Sequence, residues 1–219
     1  MPRALFEKTG RAVFMSHLDL MRVFQRGFKR AGLHLTHTQG FSPRPSVSIA
    51  LPMSVGVESI CEMLEFELED AGLSNMEILQ RLNNYLVDGV RVRDIYNNGQ
   101  KIKYLSFLDC SVYLIYDSGV PEEAVSKISA LLGRPSLIVE KQGKNGVTQQ
   151  DIAPMIRKFT VVSMDSNTVR IDARICCQNP TLNPALITAA IVRYLPDMKP
   201  DFARCCRQEV YNQEEEIFR

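Results

Sequence analysis

The chain has almost no net charge, no long apolar run and no closely spaced cysteine ligand pattern. Each absence removes a class of function. Lys and Arg number 26 against 25 Asp and Glu, so the totals do not describe a strongly basic nucleic-acid binder. No stretch approaches the ~20 apolar residues that a bilayer-spanning helix needs, and no membrane contact is expected. The opening Met-Pro-Arg-Ala-Leu-Phe-Glu-Lys lacks the apolar centre of a secretory signal, so a cytoplasmic chain is expected. The six cysteines include the adjacent pairs Cys176-Cys177 and Cys205-Cys206, and neither has the C-x-x-C spacing that lets two thiolates grip one zinc. Meeting across neighbouring strands, the pairs can make a four-thiolate site. Successive strand residues point to opposite faces, however, and buried, reduced thiols are the simpler expectation. No metal and no cofactor is expected.

What is present suits a folded protein. The 219 residues are 45% apolar and 23% charged, a composition able to bury a core. Charge is segregated along the chain. Residues 1–50 hold Arg3, Lys8, Arg11, Arg22, Arg26, Lys29, Arg30 and Arg44 against only Glu7 and Asp19, and they also hold His17, His34 and His37. Residues 51–100 hold Arg81, Arg91 and Arg93 against nine acids. Local potential, rather than the total, steers an anionic partner.

The element order follows from periodicity. Ala4–Phe6 and Arg11–Met15 are β-prone, separated by the Thr9-Gly10 kink. Ser16 caps a helix that Gly32 ends, with Asp19 three residues on completing a capping pair. Leu20, Phe24, Phe28 and Ala31 share one side of it, and Arg22, Arg26, Lys29 and Arg30 the other. Residues 33–51 are extended around the loop Gln39-Gly-Phe-Ser-Pro-Arg-Pro45, and Pro52–Ser59 is a second stiff turn. Glu62–Glu69 alternates as a strand, Met76–Leu86 is an amphipathic helix and Val90–Arg93 a strand. This is the β-α-β-β-α-β order of a ferredoxin-like split βαβ unit. After the polar linker Asn97–Gln100 the pattern recurs. Strand Ser111–Tyr116 is followed by a helix opened by Pro121, strand Leu137–Glu140 and a polar loop Gly143–Gln149. A hairpin of Lys158–Val162 and Thr168–Cys176, a helix from Asn183-Pro184 and strand Phe202–Val210 complete it, with Glu214–Glu216 as a solvated tail. The expected class is α+β, two tandem ferredoxin-like domains with antiparallel sheets, spanning residues 1–98 and 99–219.

Chemistry concentrates in residues 8–59. The stripe Arg22, Arg26, Lys29, Arg30 repels itself at helical spacing and needs a counter-charge. That can be a phosphate backbone, the acidic strand Glu65-Glu67-Glu69, an acidic protein, or water. His17, in the first helical turn, reads either as a satisfied structural group or as a proton-transfer group. In the loop, Gly40 permits a left-handed turn, and Pro43 and Pro45 stiffen the chain beyond it. Phe41 either stacks on a base or plugs the core, and Arg44 can grip a phosphate.

These residues carry a resemblance. Lys8-Thr-Gly-Arg-Ala-Val-Phe-Met-Ser-His-Leu-Asp-Leu-Met-Arg22, Arg30-Ala-Gly, Gln39-Gly-Phe-Ser-Pro-Arg-Pro and Leu51-Pro-Met-Ser-Val-Gly-Val-Glu-Ser59 resemble the radical-SAM-linked family of bacterial proteins. The resemblance is dense over residues 8–69 and thinner beyond, where Asp151-Ile-Ala-Pro-Met-Ile is similar to a short family segment; Ser46 stands where the family often has a basic residue. It implies a bacterial, cytoplasmic protein tied to a radical SAM protein encoded nearby, sometimes among RNA-processing and ribosomal genes, hence tRNA or rRNA modification. The chain has no C-x-x-x-C-x-x-C of its own to hold an iron–sulfur cluster, so that chemistry belongs to the partner. The expected role is an accessory that binds RNA or a substrate carrier through Arg11, Ser16, His17, Asp19, Arg22, Arg26, Gln39, Gly40, Phe41, Pro43, Arg44 and Ser59. By fold analogy with RAMP-type CRISPR RNA endonucleases, the alternative is a metal-independent ribonuclease using His17 as catalytic base. A pure protein–protein adaptor is the third possibility.

Overall fold

A computed structural model describes residues 1–70, 72–143 and 146–219. The fold is mixed α+β, with antiparallel strand pairing and four α-helices among the described residues. It divides into two compact units, Met1–Ile102 with Arg219, and Lys103–Phe218.

In the first unit, β1 (Arg3–Lys8) pairs antiparallel with β3 (Val57–Phe66) and with β4 (Val90–Tyr96), and β2 (Val47–Ile49) pairs with β3. The strand order is therefore β4-β1-β3-β2. Helices α1 (His17–Arg30) and α2 (Asn75–Asn83) supply the cover. Leu20, Phe24 and Phe28 of α1 and Ile78 and Leu82 of α2 pack with Ala4, Phe6, Leu64, Phe66 and Val92 in one buried cluster. Period-3.6 and period-2 apolar faces meet there, as the sequence pattern requires. Gly27 lets the helices approach, since a Cβ on it would stand 3.2 Å from Leu86 and 3.3 Å from Leu82.

One expected strand is a helix. Gly10–Phe14 forms a 3-10 turn rather than β-structure, with Ala12 N–H donating to Thr9 O and Met15 N–H to Ala12 O. Gly10, at φ +54°, turns the chain out of the sheet. The buried Lys8 amine then donates to Met15 O at 3.1 Å, fixing the entry to α1. β3 also starts earlier than the alternation predicts, absorbing Val57–Ser59 from the expected turn.

The second unit has β5 (Phe107–Ile115) between β10 (Phe202–Tyr211) and β9 (Thr168–Cys176), with β8 (Ile156–Ser163) beyond β9. The order is β10-β5-β9-β8. Its core includes Leu108, Val112, Ile171 and Ile175 together with Ile128 of α3 (Ala124–Leu132) and Ile187 of α4 (Ala185–Tyr194). Part of the expected polar loop is a strand: β7 (Gly146–Asp151) pairs with β6 (Ile138–Gly143) as a separate hairpin, while Lys144 and Asn145 of that loop lie outside the described residues. Glu214–Glu216 are exposed, as expected, but the tail is also tied down, since Glu215 accepts from Arg174 at 2.7 Å and Phe218 beyond it is fully buried. All six cysteines are free thiols.

Candidate nucleic-acid interface

Helix α1 begins as its sequence dictates. The Ser16 hydroxyl accepts from Asp19 N–H at 3.2 Å and donates to the Asp19 carboxylate at 2.7 Å, and Arg22 donates to that carboxylate at 2.9 Å. The Ser16 hydrogen bond first, then Arg22, holds the Asp19 carboxyl below its ordinary value. Behind this cap, His17 is half-buried, and its Nδ1 is enclosed with no hydrogen-bond partner among the described residues. Ser59 is fully buried opposite Lys8, its hydroxyl accepting from Cys61 N–H at 3.3 Å. Arg11 is exposed on the 3-10 turn.

The Gln39–Pro45 segment stands elsewhere. Thr36 N–H donates to Glu67 O and Glu67 N–H to Ser46 O, so the excursion is rooted just past the C-terminal end of β3. Ser46 N–H returns to Thr36 O, Thr38 N–H donates to Arg44 O, and Arg44 N–H donates to the Thr38 hydroxyl at 3.0 Å. A bridge between His37 and Pro45 completes a short finger closed on itself. Gln39, Gly40, Phe41, Pro43 and Arg44 are all exposed on it. The Ser59-to-Glu67 stretch of extended chain separates the finger's root from Lys8 and the start of α1 by about 27 Å, at ~3.4 Å per residue.

The structure thus places the predicted residues in two groups. Ser16, His17, Asp19, Arg22 and Ser59 belong to the start of α1, with Arg11 just before it. The finger belongs to the other end. α1 runs between them: after Arg30, Leu33 N–H donates to Phe28 O, and His34 O accepts from Glu69 N–H. Its last two turns, carrying Arg26, Lys29 and Arg30, therefore lie at the finger's end of the unit.

Those cations keep their charge available. Arg26, Lys29, Arg30 and Arg44 are exposed and make no ion pair among the described residues. Of the acidic Glu65, Glu67 and Glu69, Glu65 is taken by Arg3 at 2.7 Å and Glu67 bonds the Thr36 hydroxyl at 2.7 Å, while Glu69 is exposed beside His34. The sequence explains the excess, since no Asp or Glu occurs between Asp19 and Glu58. Among the described residues no group of three or more His, Cys, Asp or Glu is placed to hold a metal ion.

One surface escaped sequence reasoning. Phe14, Leu18 and Val55 are 73%, 66% and 57% exposed. Gly56 N–H donates to Val13 O at 2.8 Å, which ties the backbone next to Val55 to the backbone next to Phe14. The available signal was that Leu18, two residues before Leu20, lies off the buried Leu20-Phe24-Phe28 stripe of α1.

A family model described as an uncharacterized protein conserved in bacteria, DUF2344, matches residues 2–184, and the chain belongs to that family. No curated protein matches it. Among solved structures, a chain of a Cbf5-Nop10-Gar1 complex is similar over 95% of this chain and 48% of its own length, at 9% identity and TM-score 0.51. The protein thus spans about half of that chain, and the likeness is one of fold. A chain of the archaeal box H/ACA sRNP Nop10-Cbf5 complex is similar over 94% of this protein and 46% of its own length, at 9% identity and TM-score 0.43. An unknown protein from Galdieria sulphuraria matches over 94% and 96%, at 11% identity and TM-score 0.26.

Proposed function

We propose that this member of DUF2344 is an RNA-binding accessory protein that works with a radical SAM enzyme. The observation that carries the RNA half is the cationic surface of the last turns of α1 and the finger, segments that contain no Asp or Glu, where Arg26, Lys29, Arg30 and Arg44 are exposed and make no ion pair among the described residues. Like charges held together cost a few tenths of a kcal/mol per i,i+4 pair, and a phosphate backbone relieves them while releasing its counterions. Binding has more support here than cleavage, because His17 stands at the opposite end of α1 from these cations. The partner half rests on the resemblance of residues 8–69 to radical-SAM-linked proteins, and the exposed Phe14, Leu18 and Val55 supply an apolar docking patch for that partner. We read each unit as a ferredoxin-like split βαβ, with the orders β4-β1-β3-β2 and β10-β5-β9-β8 as support.

Fluorescence anisotropy with a labelled RNA tests the first half. Affinity is expected to fall steeply from 50 to 200 mM salt, and Arg26→Glu with Arg30→Glu should lower the salt slope by about 1 per lost phosphate contact. Salt-insensitive or absent binding rejects it. Co-purification with the neighbouring radical SAM protein after nuclease treatment tests the second, and no complex rejects it.

A further inference from the structure

We infer that the RNA recognised here is unpaired, and that the finger presents Phe41 as a stacking surface for an exposed base. This rests on the RNA-binding reading above and narrows its substrate to single strands and loops.

Phe41 is 113% exposed, more open than any other large apolar side chain among the described residues. It is not a core plug. A phenyl ring left in water at a loop tip gains nothing for the fold, and its burial waits for a ligand. The finger holding it is ordered before any ligand arrives. Its stem is closed by the Thr38–Arg44 hydrogen bonds and the His37–Pro45 bridge, and Pro43 and Pro45 fix two backbone angles. Gly40, at φ +140° with open space where a Cβ would stand, makes the turn that leaves the ring outside. A pre-ordered ring loses little entropy on binding.

The surroundings select the ligand. His37 and Arg44 stand exposed on the two sides of the stem that carries Phe41, and the finger contains no carboxylate. An aromatic face on the same finger as the Arg44 cation fits a base whose own phosphates lie alongside, and it tolerates any base because each has a π-face. A duplex offers no such base. Its rings are covered by their neighbours, and its accessible groove presents sugar hydroxyls and base edges. Phe41 has nothing to stack on there.

The probe is a labelled unstructured RNA 20-mer, compared with the same strand annealed to its complement, at 100 mM salt. The single strand is expected to bind about tenfold more tightly or better. Phe41→Ala should weaken it by roughly tenfold, Phe41→Tyr should retain it, and duplex affinity should not change with either variant. At an exposed tip none of these changes threatens folding, which circular dichroism verifies. Equal affinity for the two RNAs overturns the inference. So does a Phe41→Ala protein that binds the single strand as well as wild type, the result expected if Phe41 instead anchors in a protein pocket. If Arg26→Glu with Arg30→Glu still weakens binding in either case, RNA binding survives and base stacking alone has failed. If those reversals are also silent, the RNA reading fails with it.

Discussion

Two sets of arginines in this chain have opposite surroundings. In the second unit, Arg174 is only 6% exposed, and it donates to both Asp109 oxygens at 2.7 and 2.9 Å and to Glu215 at 2.7 Å. Its guanidinium also lies 3.6 Å from the Tyr211 ring centroid. Asp109 first, then Glu215, raises its already high pKa, so it is a permanent cation. In the first unit, Arg26, Arg30 and Arg44 are exposed and make no ion pair among the described residues. The comparison teaches where each set acts. A satisfied arginine holds the fold, and an unsatisfied cluster that the fold does not use is, on the function proposed above, the part left for a partner.

The largest expected effect breaks the satisfied set. Arg174→Met leaves Asp109 without its cation and Glu215 with only Arg157, 3.9 Å away. Removing one partner of a buried ion pair costs about 3–5 kcal/mol, and because water reaches the partially exposed carboxylates the lower end, about 3 kcal/mol, applies. Urea unfolding measures this, and adding Asp109→Leu should return part of the loss. RNA affinity of the folded variant should stay at wild-type level. A stability change under about 1 kcal/mol would show that Arg174 is not the structural member of the comparison.

The same contrast explains what the sequence discloses. Helix α1 is readable because its causes are local: the Ser16 cap, the Leu20-Phe24-Phe28 spacing and the stop at Gly32, whose φ is +67°. The buried ends of β1 and β3 are readable for the same reason, their alternation being short-range. The Glu215 contact is not, since it joins residues 41 apart in sequence and needs β9 and the tail to be placed first. β7 is hidden because Gly146-Val-Thr-Gln-Gln-Asp has no apolar alternation and pairs only with β6 among the described residues. At the candidate site the residue types were legible but their grouping was not. The sequence places the finger and the start of α1 close together in number, while β3 holds them at opposite ends. Whether Glu65 would neutralise the helix or take Arg3 was likewise a tertiary question. Phe41 is open to both core and solvent until the closure of the finger on itself decides for solvent.

A smaller effect sharpens the second unit's side. Tyr116 is buried and donates its hydroxyl to Met198 O at 3.0 Å, and burial pushes its pKa up to about 12. Its unfolded value is near 10. Because the folded pKa is raised and the neutral form is the one the fold keeps, the associated stability is complete below pH ~10 and is lost as pH rises towards about 12. Tyr116→Phe should cost about 1 kcal/mol at pH 7, the worth of a net hydrogen bond, while losing less stability than wild type between pH 10 and 12. Parallel denaturation at pH 7 and pH 11 reads both. An unchanged alkaline profile would remove Tyr116 as its source.

The smallest effect has the opposite sign and bears most directly on the unsatisfied set. Arg22, Arg26 and Arg30 are spaced four apart along the exposed face of α1, so Arg26 faces a like charge in each direction, of which Arg22 alone is paired, with Asp19 at 2.9 Å. Such pairs destabilise by ~0.2–0.5 kcal/mol each, and opposite charges at the same spacing stabilise by similar amounts. Arg26→Glu alone should therefore raise stability by about 0.5 kcal/mol in low salt, an increment that high salt screens away, even as it weakens RNA binding. Stability that rises as binding falls is the trade expected where a surface is kept strained for its ligand. Urea midpoints at low and high salt, beside anisotropy on the same preparation, measure both signs. If Arg26→Glu instead destabilises by more than 1 kcal/mol, Arg26 belongs with Arg174 as a structural cation, and the division between the two arginine sets does not hold.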